Sequence, residues 1–358
     1  MNIFMCNTVS NVVSALSIAN TMKLDSCIIF SHQIFLREEY FRREYQMIPL
    51  PCYIIDNEMN NKILKKKKKT LNKVLFYKGF ISEVLREQKL KSADIQRIFI
   101  YQDNDEASKS IIGLFRKSNI EFIGVDEGTS HRMSKKHHLK MLAPSWDKYA
   151  KHVIANIIEK FYFGKYYRSR FHRNCEQSLF KKFIVHHPVE QVDQGYVRSK
   201  NNIEHIGIDK SIISSFIKFP WDELRKHANS NIFLGSPLSE DNILTLQEEN
   251  CLLKQIFMQI DSLPHVYIKP HPRDRRGKYE EFLAKNIKLI DLNYPVQFYD
   301  LVDIEFDLVI YILTSCLPPH RDKRCFIELF AKYNSGYASG VKDYVFGELI
   351  AANERIPN

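Results

Sequence analysis

The sequence predicts an α/β fold made of two domains, each a parallel sheet covered by helices. Three observations predict it. Short apolar runs of strand length alternate with amphipathic runs of helix length through the first half of the chain. The same alternation restarts near residue 231. The chain has 358 residues, 44% hydrophobic and 12% aromatic, which supports two packed cores and excludes a disordered chain.

Taken in order, NIFMC (2–6) predicts a strand, and TVSNVVSALSIANTM (8–22) a helix with apolar spacing and a Thr or Ser cap. SCIIFS (26–31) and CYIID (52–56) predict strands, and LNKVLFYKGFISEVLREQKL (71–90) an amphipathic helix. QRIFIYQ (96–102) predicts a strand, ASKSIIGLFRKS (107–118) a helix, and IEFIGVDEGTS (120–130) a strand that ends in charge. The basic, aromatic stretch 133–174 gives no clear period. KKFIVHHP (181–188) predicts another strand, and the chain up to KFPWDELRKHANS (218–230) a crossover. NIFLGSP (231–237) opens the second run, followed by a helix over 242–262, the strand HVYIK and the strand FDLVIYILTSC (306–316). We place the domain boundary near residue 222, giving domains 1–222 and 223–358.

Lys plus Arg is 52 against 42 Asp plus Glu, a net charge of +10, which favours an anionic partner. The seven cysteines are scattered with no C-x-x-C spacing, and several sit in apolar runs, which predicts buried thiols in a reducing compartment. The opening MNIFMCNTVS lacks a basic segment followed by an apolar core, and no apolar run is long enough for a bilayer. A cytoplasmic protein is the expectation. The run KILKKKKKTLNK (62–73) would suit an anionic inner leaflet, with Lys65–Lys69 as the docking charge and a peripheral membrane location as the result. A solvated loop is the plainer reading.

Open parallel sheets bind ligands at the carboxyl ends of their strands. Three segments fall there. In GVDEGTS, Asp126 and Glu127 close a strand, and Gly128 frees the turn. One acid can serve as general base on a hydroxyl while the other supports it, because neighbouring strand residues alternate faces. In KPHPRD, Pro270 and Pro272 stiffen the chain around His271. A phosphate beside that imidazole would favour its charged form, and it could then protonate or hydrogen-bond a departing phosphate oxygen. Lys269 or Arg273 would add fixed positive charge. In ILTSC, Thr314 and Ser315 could receive a phosphate, although Pro318 and Pro319 argue against a long helix there.

Two segments imitate metal sites. Asp103–Asp105 (DND) resembles a D-x-D cation site but is short enough to arise by chance. The His-rich 130–140 segment has no acidic or cysteine partner at ligand spacing, so it reads as a basic face. No metal or cofactor is expected. Nucleic acid is not an expected partner either, since no helix-turn-helix, zinc finger or RNP signature is present.

The order acid-acid-Gly, LGSP, His-Pro and a hydroxyl pair resembles the bacterial sialyltransferases of glycosyltransferase family 52, which modify lipooligosaccharide, and more distantly the capsular polysialyltransferases. NIFLGSP and YIKPHPRD are its most specific pieces. The resemblance implies a GT-B architecture, two Rossmann-like α/β domains facing a central cleft, with residues 1–222 on the acceptor side and 223–358 binding the CMP-sugar. It implies a CMP-sialic acid donor, a glycan acceptor ending in galactose, and inversion without a metal. By position Glu127 would be the base with Asp126 beside it, and His271 would act on the phosphate of departing CMP. Thr314 and Ser315 would hold that phosphate. Gly235, Ser236 and Pro237 would lie against the nucleotide, and Lys269 and Pro272 would flank His271 on the donor side. Some family members carry an aspartate directly after LGSP; here Leu238 stands there, with Glu240 and Asp241 nearest, so a displaced Asp241 is the alternative base. Other CMP- or CDP-linked donors, such as CMP-Kdo or CDP-glycerol, suit the same His-Pro chemistry. The resemblance leaves acceptor, linkage and oligomeric state open and allows a homodimer.

Overall fold

The structure is a computed structural model. It describes residues 1–338 apart from 7, 25–26, 32–51, 55–69, 104, 127–134, 144–145, 164–168, 170, 173–174, 187–188, 190–191, 193, 198–199, 210–220, 272, 291–293, 295, 297 and 314–316. The chain divides into two compact units, Met1–Lys218 and Phe219–Asn358, a few residues before the boundary read at 222.

In the N-terminal unit the described elements run β1 (Asn2–Cys6), α1 (Val9–Thr21), β2 (Cys27–Ser31), β3 (Cys52–Ile54), α2 (Thr70–Glu87), β4 (Arg97–Ile100), α3 (Glu106–Phe115) and β5 (Glu121–Val125). They continue with α4 (Lys135–Leu142), α5 (Trp146–Phe163), β6 (Phe180–Val185), α6 (Gln194–Val197) and β7 (Asn202–His205). The described strands form a parallel seven-stranded sheet of order β3-β2-β1-β4-β5-β6-β7. All five residues of β1 are buried, as a strand covered on both faces must be, which is why NIFMC lacks alternation. Thr8 and Asn11 close a capping box at the start of α1 (3.0 and 3.1 Å), satisfying two donors the helix cannot pair. Ile98, Ile100, Phe122, Phe180 and Phe183 pack with Ile81 and Ile111 from α2 and α3. Each such side chain contributes roughly 1.5–3 kcal/mol on full burial.

The C-terminal unit has α7 (Trp221–Arg225), β8 (Asn231–Leu234), α8 (Leu246–Ile260), β9 (Val266–Lys269), β10 (Ile287–Leu289), α9 (Phe298–Leu301), β11 (Phe306–Tyr311), β12 (His320–Cys325) and α10 (Ile327–Ala331). Its described strands form a parallel five-stranded sheet, β10-β9-β8-β11-β12. From β8 the chain winds outward through β9 and β10, then crosses to β11 and β12. The direction reverses between β8 and β11, so the carboxyl ends of those two strands are the place for a ligand. Thr245 and Glu248 form a capping box that starts α8.

The strands and helices read from the sequence with stated bounds are present with adjusted ends: β1 matches at 2–6, while α2 and α3 each start one residue earlier and stop three residues earlier than read. The unassigned 133–174 stretch supplies α4 and α5, and the supposed crossover before residue 231 contains β7. Strands β10 and β12 went unread. Among the described residues no helix is long and apolar enough to cross a membrane. Lys65–Lys69 lie outside the described residues.

Candidate functional site

In the C-terminal unit LGSP and KPHPRD end neighbouring strands. Leu234 pairs with Lys269 in the β8–β9 register, and the Gly235 N–H donates to the Lys269 carbonyl (2.9 Å), so the ladder runs one bond past the strand. Gly235 has to be glycine. A Cβ there would lie 2.5 Å from Asp274 Oδ2, 2.6 Å from the Tyr279 hydroxyl and 2.9 Å from His271 N. Ser236 and Pro237 follow, both buried, and Ser236 Oγ donates to the Leu313 carbonyl beyond β11 (3.0 Å). That bond spans the point where the strand order reverses.

His271 opens a tight turn. The Asp274 N–H donates to the His271 carbonyl (2.9 Å), and Asp274 Oδ2 accepts from the His271 N–H (2.7 Å). The Arg273 N–H donates to Nδ1 of the His271 ring (3.2 Å). An Nδ1 that accepts carries no proton, so the neutral ring bears its hydrogen on Nε2. Burial lowers the His271 pKa to about 4, with the charges of Arg273, Lys269 and Lys278 acting in the same direction and Glu240 opposing. The sequence reading expected a charged imidazole beside a phosphate; the protein groups around His271 favour the neutral ring.

The cations beside His271 are engaged. Lys269 is buried, and its Nζ lies 4.4 Å from the centre of the Tyr294 ring. Arg273 pairs with Asp241 (2.5 Å). Glu240 accepts from the Arg275 N–H (2.9 Å) and from Lys278 (3.3 Å). Asp241, the alternative base, and its neighbour Glu240 are therefore both anchors of the loop after β9. Leu238 lies in the hydrophobic core.

Sequence reading missed what holds these loops together. Lys278 Nζ, with a side chain 0% exposed, donates to Asp274 Oδ1 (2.7 Å), Glu249 Oε1 (2.6 Å) and the Ser236 carbonyl (2.8 Å). Arg275 reaches Glu249 Oε2 (2.8 Å) and Asn250 Oδ1 (2.8 Å), and the Tyr279 hydroxyl donates to Asp274 Oδ2 (2.8 Å). Burial pulls the Lys278 pKa down, but its carboxylate partners outweigh that and hold it above the ordinary value. Burial pushes the Asp274 pKa up, against the pull of Lys278. The signal available in the sequence was the i,i+4 spacing of Asp274 and Lys278. Nothing in the sequence says that the pair is buried.

In the N-terminal unit Asp126 follows β5, is buried, and donates its N–H to the Ile184 carbonyl at the end of β6 (2.8 Å). Gly124 before it is also obligatory, since a Cβ would lie 2.5 Å from the Phe183 ring and 2.7 Å from Cys175 Cβ. Glu127, Gly128, Pro272, Thr314 and Ser315 lie outside the described residues. Asp103 is buried and accepts from Gln177 (2.9 Å), and Asp105 caps α3 through the N–H groups of Ala107 and Ser108 (both 2.9 Å). Those two carboxylates have structural work to do. Among the described residues no group of three or more His, Cys, Asp or Glu side chains is placed to hold a metal ion. A further polar chain lies at the carboxyl ends of β4 and β6. Tyr101 donates to Ser14 Oγ (2.7 Å), Ser14 to His186 Nε2 (2.5 Å), and His186 Nδ1 to the Ile206 carbonyl (2.6 Å). Both ring nitrogens of His186 are used, so this chain ties α1 to the sheet.

Likeness to known proteins agrees with this layout. A sialyltransferase GT-B domain from Photobacterium damselae superposes with a TM-score of 0.52 at 11% identity, covering 95% of each chain. UDP-GlcNAc 2-epimerase from Neisseria meningitidis superposes with a TM-score of 0.52 at 10% identity, covering 99% of this chain and 100% of that one. At such identities the likeness shows the fold, and the fold is GT-B. An uncharacterized protein of Haemophilus influenzae is 34% identical over 110 residues, 31% of this chain and about a third (32%) of that relative's length. The model of glycosyltransferase family 52 matches residues 51–317, which take in the acid-acid-Gly, LGSP, His-Pro and hydroxyl segments, and the chain belongs to that family of glycosyltransferases.

Proposed function

We propose that this glycosyltransferase moves sialic acid from CMP-sialic acid to a hydroxyl of a terminal sugar, galactose first among candidates, on a bacterial surface glycan such as lipooligosaccharide or capsule. The observation that carries the reading is His271, placed at the end of β9 beside Gly235 and Ser236 with its ring hydrogen on Nε2. The sialyltransferases of the same fold lend it support.

The chemistry follows from the leaving group. The acceptor oxygen forms a bond to the anomeric carbon as the bond from that carbon to the CMP phosphate oxygen breaks. The acceptor proton passes to a carboxylate, Glu127, with Asp126 as its support. Attack opposite the leaving group inverts the anomeric carbon. Negative charge grows on the phosphate oxygen, where an Nε2–H donor stabilises it. A neutral donor does this without giving up a proton: CMP is a good leaving group and can depart as the anion. Thr314 and Ser315 complete the phosphate's donors, and no metal is needed. Lys65–Lys69 would hold the enzyme at the cytoplasmic face of an anionic membrane, which salt-sensitive binding to anionic liposomes tests.

The test is CMP release from CMP-sialic acid by the purified protein, with and without a galactose-terminated acceptor, each with and without EDTA. Acceptor-dependent release that survives EDTA is expected. Release from another CMP- or CDP-linked donor, with none from CMP-sialic acid, would overturn the donor. His271→Ala should lower turnover more than donor affinity; near-normal turnover would remove His271 from the mechanism.

A further inference from the structure

Asp274 stands in two structures at once. Oδ2 accepts the His271 N–H (2.7 Å) and the Tyr279 hydroxyl (2.8 Å), and Oδ1 accepts Lys278 (2.7 Å). Lys278 in turn grips the Ser236 carbonyl (2.8 Å), and Ser236 Oγ reaches Leu313 (3.0 Å). One buried ion pair therefore links the loops that follow β8, β9 and β11. These loops have left the sheet ladder, so their backbone groups need partners from elsewhere. The carboxylate also closes the turn in which the Arg273 N–H meets Nδ1 of the ring (3.2 Å). Removing the His271 N–H anchor frees that turn, and with it the contact that keeps the proton off Nδ1.

We propose that Asp274 is a positioning residue for His271: with Lys278 as its buried counter-ion, it fixes the turn that keeps the imidazole in its Nε2–H form and aims that hydrogen at the donor phosphate. Asp274 does not touch the donor. It acts through the His271 backbone, while Glu249 and Arg275 hold Lys278 and the loop in place. Beside Asp274 at the backbone N–H, the charged groups that act on the His271 ring are Arg273, Lys269, Lys278 and Glu240. The donor phosphate and the expected turnover rest on the proposed sialyl transfer; the role of Asp274 in fixing the turn and the tautomer does not.

The test uses the full chain labelled with 15N-histidine, and compares wild type, Asp274→Asn and Tyr279→Phe. The His271 signals are identified by their loss in His271→Gln. Asparagine keeps the size of Asp274 but sets an amide, or an uncharged oxygen, against the Lys278 ammonium. Wild type should show a single Nε2–H tautomer at pH 7, and Asp274→Asn a mixture. In Asp274→Asn kcat should fall about 100-fold while the donor KM stays within about threefold, as expected when the reacting group is misplaced but the substrate still binds. A folded Asp274→Asn protein with wild-type tautomer signals or near-normal kcat overturns the inference, and so does a mixed tautomer in wild type. If Asp274→Asn does not fold, Tyr279→Phe decides, since it removes one of the two donors on Oδ2: a shifted tautomer balance supports the role, and an unchanged one overturns it. If wild type does not turn over CMP-sialic acid, the donor assignment fails, and the tautomer comparison still decides the role of Asp274.

Discussion

Replacing Gly235 by alanine should disable the enzyme while leaving it folded, and the size of the effect follows from three distances. The new Cβ would sit 2.5 Å from Asp274 Oδ2, 2.6 Å from the Tyr279 hydroxyl and 2.9 Å from His271 N. Ordinary contact begins near 3.4 Å, so Asp274 and the turn that carries His271 must retreat by about 0.5–0.9 Å. Neither can move cheaply, because Asp274 is tied to Lys278 and the turn to Asp274. Overpacking of this kind costs about 1–3 kcal/mol, and weakening the charge-assisted bond from His271 N–H adds about 1.5 kcal/mol. A loss of about 3 kcal/mol lowers Tm by roughly 10 °C in a unit of this size. A shift approaching 1 Å at the reacting group costs roughly 100-fold in kcat. The control is Gly79→Ala. Gly79 is exposed on α2 with nothing within 4 Å of its Cβ position, so alanine should stabilise by about 0.4–1 kcal/mol and leave turnover alone. Thermal unfolding and steady-state CMP release read both variants. Wild-type kcat in Gly235→Ala would refute the claim that these loops are locked against each other at the proposed catalytic centre.

The remaining predictions concern charge. Asp241→Asn should keep turnover within about threefold and cost under about 1 kcal/mol, as for a partly exposed ion pair, whereas Glu127→Gln should lose at least about 100-fold; the reverse pattern in kcat would make Asp241 the base. His227 is buried against the Tyr299 hydroxyl (2.8 Å), and burial lowers its pKa to about 4, as for His271. For both groups the unfolded chain takes up a proton below about pH 6.5 that the folded chain refuses until about pH 4, so stability is unaffected above pH 6.5 and falls with pH between the two values, by up to about 3 kcal/mol per histidine. Denaturant unfolding at pH 7 and pH 4.5 checks this, and a His227→Gln protein with an undiminished acid loss would show the wrong group had been chosen. Lys278→Met should cost about 3–5 kcal/mol by leaving buried carboxylates without a counter-ion, measured as a drop in the urea midpoint.

How far the sequence could be read depended on what each segment does with its apolar residues. NIFMC, RIFI and FDLVIY are central strands, and continuous burial makes them conspicuous. HRDKRC of β12 is a strand with five polar or charged residues in six, because it lies at the sheet edge, where half of its residues are exposed and none is buried. Charge there protects an open edge but erases the hydrophobic signal. β10 is another edge, and too short to show a period. In α5 the stripe Trp146, Ile154, Ile157 and Phe161 faces solvent, so its apolar residues do not report a core. At the site, Gly235 and His271 were legible because glycine and proline restrict the backbone wherever they occur. Asp274, Lys278 and Glu249 were not. An Arg- and Lys-rich segment beside acids reads as a solvated turn, and only the fold reveals that its centre is dry.

That dry centre has a physical reason. A site at the carboxyl ends of parallel strands must be built from backbone that has left the ladder. The Ser236 carbonyl and the His271 N–H have no strand to pair with, and leaving such groups buried without partners costs about 1–3 kcal/mol each. The Ser236 carbonyl also accepts the Leu238 N–H (2.9 Å), but an apolar core would leave its second lone pair and the His271 N–H unsatisfied. Water could satisfy them but would not fix their direction. Lys278 and Asp274 satisfy one each, at 2.8 and 2.7 Å, and cancel each other's charge at 2.7 Å. A buried ion pair is often no more stable than an apolar replacement of equal volume, so stability does not explain its presence here. What it supplies is a fixed geometry for two loops that the sheet no longer controls. The Gly235→Ala and Asp274→Asn experiments address that geometry from opposite sides, one by crowding the lock and the other by discharging it. If geometry is the reason for the ion pair, both should lose more in kcat than their loss of stability alone would explain.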